Sequence, residues 1–473
     1  MLELHLDYLA VRFRPGLDAR AKRAVARECH LMSYQRAFEL PGERFALMPV
    51  AETAEPRDRR HARAVAGLRR HRHVERVGLV WQHRKMLVIA TDRLWVGTRA
   101  GSRAALRALE RRGARVLIER EGECLLQLRS DAAPEVVARR LARLASVEYA
   151  EPDHVLIGRG LGGMNGARLA VGQPAMRAIE APGAWRAVKI GPSVVVAIID
   201  CGVLADHEDL VGAVTARFDT TGKGNPGRPA PWDNHGTECA ALVGGTHRVS
   251  QGVKGVAAGC GIAAVRVGYT PSRLGNYLTK VSWLVSGIEW AWRQGAAVLS
   301  MSFGGGPPST PVARALDRAR SRGRDGKGCV LVAAAGNSGI AGVEFPASHD
   351  GVVGVAALDQ SGRPASFSNR GPEVDLAAPG VNIYTATIPD PTEGETARYC
   401  QDSGTSLAAP LVAAAAALVI AVNPSLGEKD VRQVLATTAG RVPGQTVIDG
   451  RNDRVGAGRL AVARALRRAR RPR

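Results

Sequence analysis

The sequence predicts an α/β fold: an open, mostly parallel, doubly wound sheet with helices on both faces, preceded by one or two small α+β modules. From Val194 onward, continuous apolar runs alternate with segments of helical spacing. Such runs are typical of parallel strands buried on both faces, and their alternation with helices favours right-handed winding. Apolar residues make up 45% of the 473 residues, enough for a sizeable core.

In this C-terminal region the apolar runs predict strands at 194–199, 262–267, 297–301, 329–333 and 352–356. Helical spacing predicts helices at 237–243, 281–293 and 311–322. In an open sheet of this kind, functional residues gather at the carboxyl ends of the strands.

The first 156 residues contain a faint repeat, and each copy suggests the β-α-β-β-α-β order of a ferredoxin-like module. The first copy predicts strands at 9–13, 44–48 and 74–80 and helices at 18–28 and 63–70. The second predicts strands at 86–90, 94–96, 114–119 and 124–128, helices at 102–112 and 132–144, and an edge strand at 147–152 that Pro152 ends.

A Gly-rich segment at 157–175 predicts a flexible, protease-accessible linker. The predicted organisation therefore has five parts: α+β modules at 1–85 and 86–156, the linker at 157–175, an α/β domain at 176–465 and an Arg-rich tail at 466–473.

The net charge of +21 raises the possibility of nucleic-acid binding. The excess is Arg spread over predicted helix faces, and aromatic residues are only 4%. We therefore expect solvated helix faces and no nucleic-acid partner. The run 411–422 is too short to span a membrane and follows Pro410, so we expect a core helix and no membrane association.

Seven cysteines, an odd number without a C-x-x-C pair, argue against a zinc site or a disulfide framework. Reduced thiols and the absence of a signal-peptide pattern near Met1 predict a cytoplasmic protein, with secretion left open.

Three residues in separate parts of the chain could form a nucleophilic site. Asp200 ends the first long strand, His235 begins a predicted helix, and Ser406 begins the last long helix after a Gly turn. Taken singly, each has a structural interpretation: a polar strand end, a helix cap and an N-cap. Together, and in this chain order, they match a Ser-His-Asp arrangement.

The region from about 175 to 465 resembles the subtilisin-like serine proteases, the subtilase family. Three stretches carry the resemblance: the aspartate motif at 197–203, His235-Gly236-Thr237, and the serine motif at 404–410. The stretches 300–304 and 334–337 lie between the last two motifs and also match the family.

The resemblance implies a serine endopeptidase that acts on proteins or peptides through an acyl-enzyme. Ser406 would be the nucleophile, His235 the base and Asp200 its partner. Asn337 would donate to the oxyanion together with the Ser406 N–H, with Thr405 adding a weaker contact. The substrate-binding residues would be Ser302, Phe303, Gly304, Ala334, Ala335, Gly336 and Glu344. An acid at Glu344 would favour Lys or Arg at P1, although a solvated loop acid is the alternative.

The sequence departs from the family pattern at three places, one of them Leu411, which stands after Pro410 where the family often has histidine. Glu238 stands where the family usually has a second histidine, and it either raises the pKa of His235 or points outward. Asp209 resembles a calcium ligand of many subtilases, but the loop 245–252 lacks the expected Asn or Asp ligand. We therefore expect no cofactor and no metal, with calcium the alternative.

The stretch 147–152 resembles the end of a subtilase propeptide, which implies an N-terminal domain that acts as an intramolecular inhibitor and is removed by self-processing. Arg159 and Arg168 are candidate cleavage points. The first module would then be a structural addition or a partner-binding domain. A different class of function remains as the alternative: a catalytically idle subtilase-like scaffold that binds proteins.

Overall fold

A computed structural model of the chain describes residues 2–40, 43–99, 104–111, 113–129, 132–158, 173–222, 228–273, 275–390, 394 and 396–470. The chain forms two compact units, one made of Met1–Gly158 with Lys280–Ser282, the other of Arg159–Thr279 with Trp283–Arg473. The predicted cleavage points Arg159 and Arg168, most of the predicted linker and the tail from 471 lie outside the described residues.

The N-terminal unit contains eight strands and four helices within its described residues. The strands are β1 (Glu3–Phe13), β2 (Phe38–Leu40), β3 (Phe45–Pro49), β4 (Val74–His83), β5 (Met86–Thr98), β6 (Arg115–Arg120), β7 (Glu123–Gln127) and β8 (Val147–Gly158). The helices are α1 (Ala19–Glu28), α2 (Arg57–Arg70), α3 (Ala104–Glu110) and α4 (Pro134–Leu141).

The two halves of this unit repeat one topology. In each half the four strands, numbered within the half, lie in the order 4-1-3-2: β4-β1-β3-β2 in the first and β8-β5-β7-β6 in the second. Every pairing in these halves is antiparallel. Each half follows the β-α-β-β-α-β order and has its own apolar core. Two ferredoxin-like modules are therefore present.

The two modules share one sheet. β4 pairs with the first part of β5, with Val80 opposite Ile89 and His83 opposite Met86. The boundary placed between residues 85 and 86 falls at the start of β5, just after the turn that joins these two strands.

The expectation that Pro152 ends the last strand was wrong. β8 continues to Gly158, and Pro152 lies opposite Leu94, where the register with β5 shifts between Ala90 and Leu94. Proline has no N–H to donate to a neighbouring strand, so it fits at a position where the regular strand pairing is interrupted.

The second unit begins with two short helices and then alternates strands with helices. Its helices are α5 (Pro174–Ala178), α6 (Ala181–Ala187), α7 (His235–Gly244), α8 (Val281–Arg293), α9 (Thr310–Arg322), α10 (Thr405–Val422), α11 (Glu428–Thr437) and α12 (Val462–Ala469). Its strands are β9 (Val195–Asp200), β10 (Val214–Asp219), β11 (Gly261–Arg266), β12 (Gly268–Tyr269), β13 (Tyr277–Lys280), β14 (Val298–Met301), β15 (Val330–Ala334), β16 (Val352–Leu358), β17 (Val374–Pro379), β18 (Ile383–Ala386) and β19 (Tyr399–Asp402).

The predicted parallel sheet is confirmed. Seven strands lie in the order β10-β11-β9-β14-β15-β16-β17, and each neighbouring pair is parallel. The five predicted strands form its centre. Its edges, β10 and β17, were not predicted, since the polar residues in their sequences break the apolar run.

Helix α10 is the central core element of this unit. It is long and apolar enough to cross a membrane by length and composition, yet 89% of that window is buried inside the protein. Its side chains pack against the sheet and against neighbouring helices. The expected core helix is present. It begins at Thr405, so Ser406 lies in the first turn of a long, buried helix.

Candidate active site

The first two candidate residues are joined by a direct hydrogen bond. His235 Nδ1 lies 2.9 Å from Asp200 Oδ2 and 3.1 Å from Oδ1. Asp200 is 1% exposed and His235 3% exposed. The carboxylate therefore fixes the tautomer, with the proton on Nδ1, and turns the other ring nitrogen away. That atom, Nε2, has no hydrogen-bond partner among the described residues.

Gly236 allows the aspartate motif and the histidine motif to pack closely against each other. A Cβ on Gly236 would lie 2.1 Å from the carbonyl oxygen of Gly202 and 3.1 Å from Asp200 Cβ. Since no real Cβ is tolerated that close, only glycine after His235 allows helix α7 to start against the turn that follows β9. The Asp200 side chain is also held by the backbone N–H of Cys201, 2.7 Å from Oδ1.

Ser406 lies in the first turn of α10, where backbone N–H groups lack intrahelical partners. Its carbonyl oxygen accepts a hydrogen bond from Ser302 Oγ at 2.8 Å and a weak one from Cys239 Sγ at 3.5 Å. Cys239 is one helical turn beyond His235 on α7. The Cys239 contact therefore ties the serine backbone to the helix that carries the histidine.

The orientation of Asn337 follows from its hydrogen bonds. Its Oδ1 accepts from the backbone N–H and the hydroxyl of Thr405, both at 2.8 Å. The Nδ2 group must then point the other way. A Cβ built on Gly404 would lie 2.7 Å from Ser406 Oγ and 3.4 Å from Asn337 Nδ2. The serine hydroxyl and the amide donor thus lie on the same side of Gly404.

The Thr405 hydroxyl was expected to add a weak contact to the reacting oxygen, but its hydrogen bonds go to other groups. Its hydroxyl donates to Asn337 Oδ1 and accepts from the backbone N–H of Gly336 at 3.2 Å. A threonine next to a serine carries no sequence signal for this contact, because its partners lie about 70 residues earlier in the chain.

The electrostatic surroundings favour the protonated form of His235. Burial by itself lowers the pKa of His235, but the Asp200 carboxylate outweighs that effect, with smaller contributions from Glu238 and Asp402, and raises it above the usual 6.5. Glu238 is fully buried. The side chain of Glu238 therefore points into the protein and not outward to solvent.

Three of the expected substrate-binding residues, Gly304, Ala335 and Gly336, lie against Glu344. A Cβ on Gly304 would lie 3.0 Å from Glu344 Oε2, and one on Gly336 would lie 2.6 Å from Glu344 Cδ. The N–H of Glu344 donates to the Ala335 carbonyl at 3.0 Å. Ala334 and Ser302 are buried, whereas Phe303 and Glu344 are half-buried. The Ser302 hydroxyl is already used by the Ser406 carbonyl.

The surroundings of Asp209 do not fit a calcium ion. Its Oδ1 accepts from the N–H of Arg248 at 2.9 Å, and its Oδ2 accepts from the N–H of Val253 at 2.6 Å and from the Tyr399 hydroxyl at 3.1 Å. Calcium needs six to eight oxygen ligands. Here the loop presents donors to the carboxylate, and a Cβ on Gly252 would lie 2.6 Å from Oδ1.

One group of side chains in the described part of the chain has ligand atoms close enough to hold a metal ion: Asp200, His235 and Cys239, within 4.8 Å of one another. The Asp200–His235 hydrogen bond already uses two of these atoms, and Cys239 contacts the Ser406 carbonyl. The seven cysteines, all among the described residues, form no disulfide bond with one another, and six are buried.

Comparison with known proteins agrees with this geometry. The model of the Subtilase family matches residues 191–458, more than half of the chain. Subtilisin DY of Bacillus licheniformis is 39% identical over 259 residues, 53% of this chain and 84% of its own length. Thermitase of Thermoactinomyces vulgaris is 36% identical over 266 residues, 56% of this chain and 88% of its own length.

Subtilisin E of Bacillus subtilis (strain 168) is 34% identical over 310 residues, covering 64% of this chain and 73% of its own length. The range 191–458 that the family model matches contains the motifs around Asp200, His235 and Ser406. The chain belongs to the subtilase family and is a serine-type endopeptidase.

Proposed function

We propose that this endopeptidase hydrolyses protein or peptide substrates with Ser406 as nucleophile, His235 as general base and Asp200 as the group that orients the base. One observation carries the proposal: Asp200 binds His235 through Nδ1, so that Nε2 is left to accept a proton. A serine hydroxyl is a weak nucleophile at its ordinary pKa, so it needs such a base.

In the proposed reaction the Ser406 hydroxyl oxygen attacks the substrate carbonyl carbon while its proton passes to His235 Nε2. The imidazolium is stabilised by Asp200, which stays ionised. His235 then gives the proton to the leaving amine, and the C–N bond breaks to form an acyl-enzyme. A water molecule, deprotonated by His235, releases the acid and restores the serine.

The negative oxygen of the intermediate needs donors that are already in place. The Asn337 amide meets that need, because Thr405 holds its Oδ1 and leaves Nδ2 beside Ser406 Oγ. Hydrolysis of a peptide by the parent, Ser406→Ala and His235→Ala tests the assignment. Both variants should fall to background while remaining folded. Activity retained by Ser406→Ala would contradict it.

We propose further that the pocket favours Lys or Arg at P1. The Glu344 carboxylate lies against the backbone of Gly304 and Gly336, where it can pair with a basic side chain. Matched peptides with Arg or Phe at P1 test the preference. Arg should be cleaved faster, whereas equal rates or a preference for Phe would contradict it.

The N-terminal unit is proposed to act as an intramolecular inhibitor that is removed by self-processing. Two features support this: the unit has its own apolar cores, and the Gly-rich segment that follows contains Arg159 and Arg168. N-terminal sequencing of the parent beside Ser406→Ala tests it. The parent should shorten to a fragment that begins within 160–172, with activity rising in step, and Ser406→Ala should stay intact. A parent that stays intact and active would contradict the proposal.

We also propose that the enzyme needs no metal or other cofactor and works in a reducing, cytoplasmic compartment. The hydrogen-bond donors around Asp209 support the first part, since they supply the stabilisation that a cation would otherwise give. The absence of a disulfide bond among the seven described cysteines supports the second.

A further inference from the structure

Glu238 is a buried carboxyl group one turn along helix α7 from His235. It is fully buried, and residues three apart on a helix lie on the same face. Its Oε1 is 3.6 Å from Cys400 Sγ. Its Oε2 is buried and meets no hydrogen-bond donor among the residues that the structure describes. An ionised carboxylate left in this condition would be costly.

The β18–β19 hairpin covers this carboxyl group. Thr385 lies opposite Cys400 in the hairpin, and its hydroxyl donates to the Glu238 carbonyl oxygen at 2.8 Å. Cys400 and Asp402 are two residues apart, so both side chains face the same side of β19. Asp402 therefore lies on the side of the hairpin that covers Glu238, and its charge acts on the Glu238 carboxyl group.

Two ionised carboxylates only accept hydrogen bonds, so a contact between them requires a proton on one of the two. The half-buried Asp402 also accepts a hydrogen bond from the N–H of Ser403 at 2.6 Å, so one of its oxygens already serves as an acceptor. Burial first, and then the Asp402 charge, raises the pKa of Glu238 to about 8, although the charge of His235 opposes the rise. Glu238 is therefore the group that holds the proton at neutral pH.

Among the described residues, three other ionisable groups interact with this pair: Cys400 on β19, and His235 and Cys239 on helix α7. His235 in turn is acted on by Asp200 at the end of β9, by Glu238 and by Asp402. A negative charge on the pair stabilises the imidazolium, so the pair and Asp200 act on His235 in the same direction.

We propose that Glu238 and Asp402 share a single proton and act together as positioning residues, holding one negative charge beside His235 that sets the pH at which His235 becomes a base. This goes beyond the triad, though it rests on His235 being the general base.

The pH dependence of kcat/KM tests the sharing through a double-mutant cycle. In Glu238→Gln the amide can donate to Asp402, and in Asp402→Asn the new amide can donate to Glu238. Each single variant therefore keeps one charge, and its acidic limb should lie within about 0.3 pH units of the parent. The double variant loses the charge, and its limb should move to lower pH by about one unit.

Other outcomes of the cycle would overturn the proposal. If Glu238→Gln alone moves the limb as far as the double variant, Glu238 is ionised by itself and no proton is shared. If the double variant leaves the limb unchanged, the pair does not act on His235. Glu289→Gln is the matched control. It is another buried glutamate, it pairs with Arg293 and Arg318, and it should not move the limb.

Infrared spectroscopy gives a second readout that needs neither activity nor a folded double variant. With Ser406→Ala as background, the full chain at neutral pH should show the carbonyl stretch of a protonated buried carboxyl group that titrates near pH 8. The band should disappear when Glu238→Gln is added. Absence of the band, or its persistence in that variant, would overturn the shared proton even if the triad assignment holds.

Discussion

Replacing Glu344 with glutamine should remove the preference for a basic P1 residue while leaving the shape of the pocket intact. At about 4 Å, a carboxylate and a guanidinium attract by roughly 1–4 kcal/mol, depending on how far water screens them. Glu344 is half-buried, so the lower half of that range applies. A loss of about 1.5–2 kcal/mol corresponds to roughly 10- to 30-fold in kcat/KM.

The assay compares kcat/KM for peptides that differ only in Arg, Lys or Phe at P1. In Glu344→Gln the Arg and Lys values should fall by that factor, and the Phe value should stay within about threefold. Asp350→Asn is the matched control, since it removes a nearby acid that is 94% exposed and should leave the ratio unchanged. An unchanged Arg-to-Phe ratio in Glu344→Gln would refute the proposed role of this carboxylate.

Three further predictions concern the other parts of the site. Asn337→Ala should lower kcat by about 10²–10³, the loss measured in the related subtilisin, with KM little changed; a drop below tenfold would contradict its role as oxyanion donor. Because the pKa of His235 is raised by Asp200 and the protonated ring cannot accept the serine proton, the acidic limb of kcat/KM should lie above pH 6.5. Asp200→Asn should lower both the rate, by about 10⁴, and the pH of that limb; a limb at or below pH 6.5 in the parent would argue against the raised pKa. EDTA should leave the Tm of the Ser406→Ala variant unchanged. Introducing Asp209→Asn into that variant should lower its free energy of unfolding by roughly 1–3 kcal/mol, since the new amide NH₂ would face a backbone N–H donor. A fall in Tm with EDTA that calcium reverses would contradict a loop that needs no metal.

The sequence could indicate the candidate site residues because they stand next to glycines and strand ends that leave a sequence signal. Asp200 ends an apolar run, and Gly236 and Gly404 mark places where backbones approach closely. The parallel direction of the central strands followed from the same apolar runs.

The remaining contacts had no such signal. Two of the three donors to Asp209 are the backbone N–H groups of Arg248 and Val253, and every residue except proline carries such a group. The neighbours of Glu238 arrive on a hairpin about 160 residues later, and a sequence does not indicate which face of a short strand meets which helix. These contacts of Asp209 and Glu238 therefore depend on long-range packing, which a local sequence pattern does not indicate.

Labelling of the full chain by a fluorophosphonate tests the central claim most directly, because the reagent reacts only with a serine that a neighbouring base activates. Intact mass and peptide mapping should show one adduct, on Ser406, whose rate of formation rises with pH as His235 loses its proton. Ser406→Ala and His235→Ala should not be labelled. A parent chain that remains unlabelled after the N-terminal unit has been cleaved off, or an adduct on any other serine, would contradict the account.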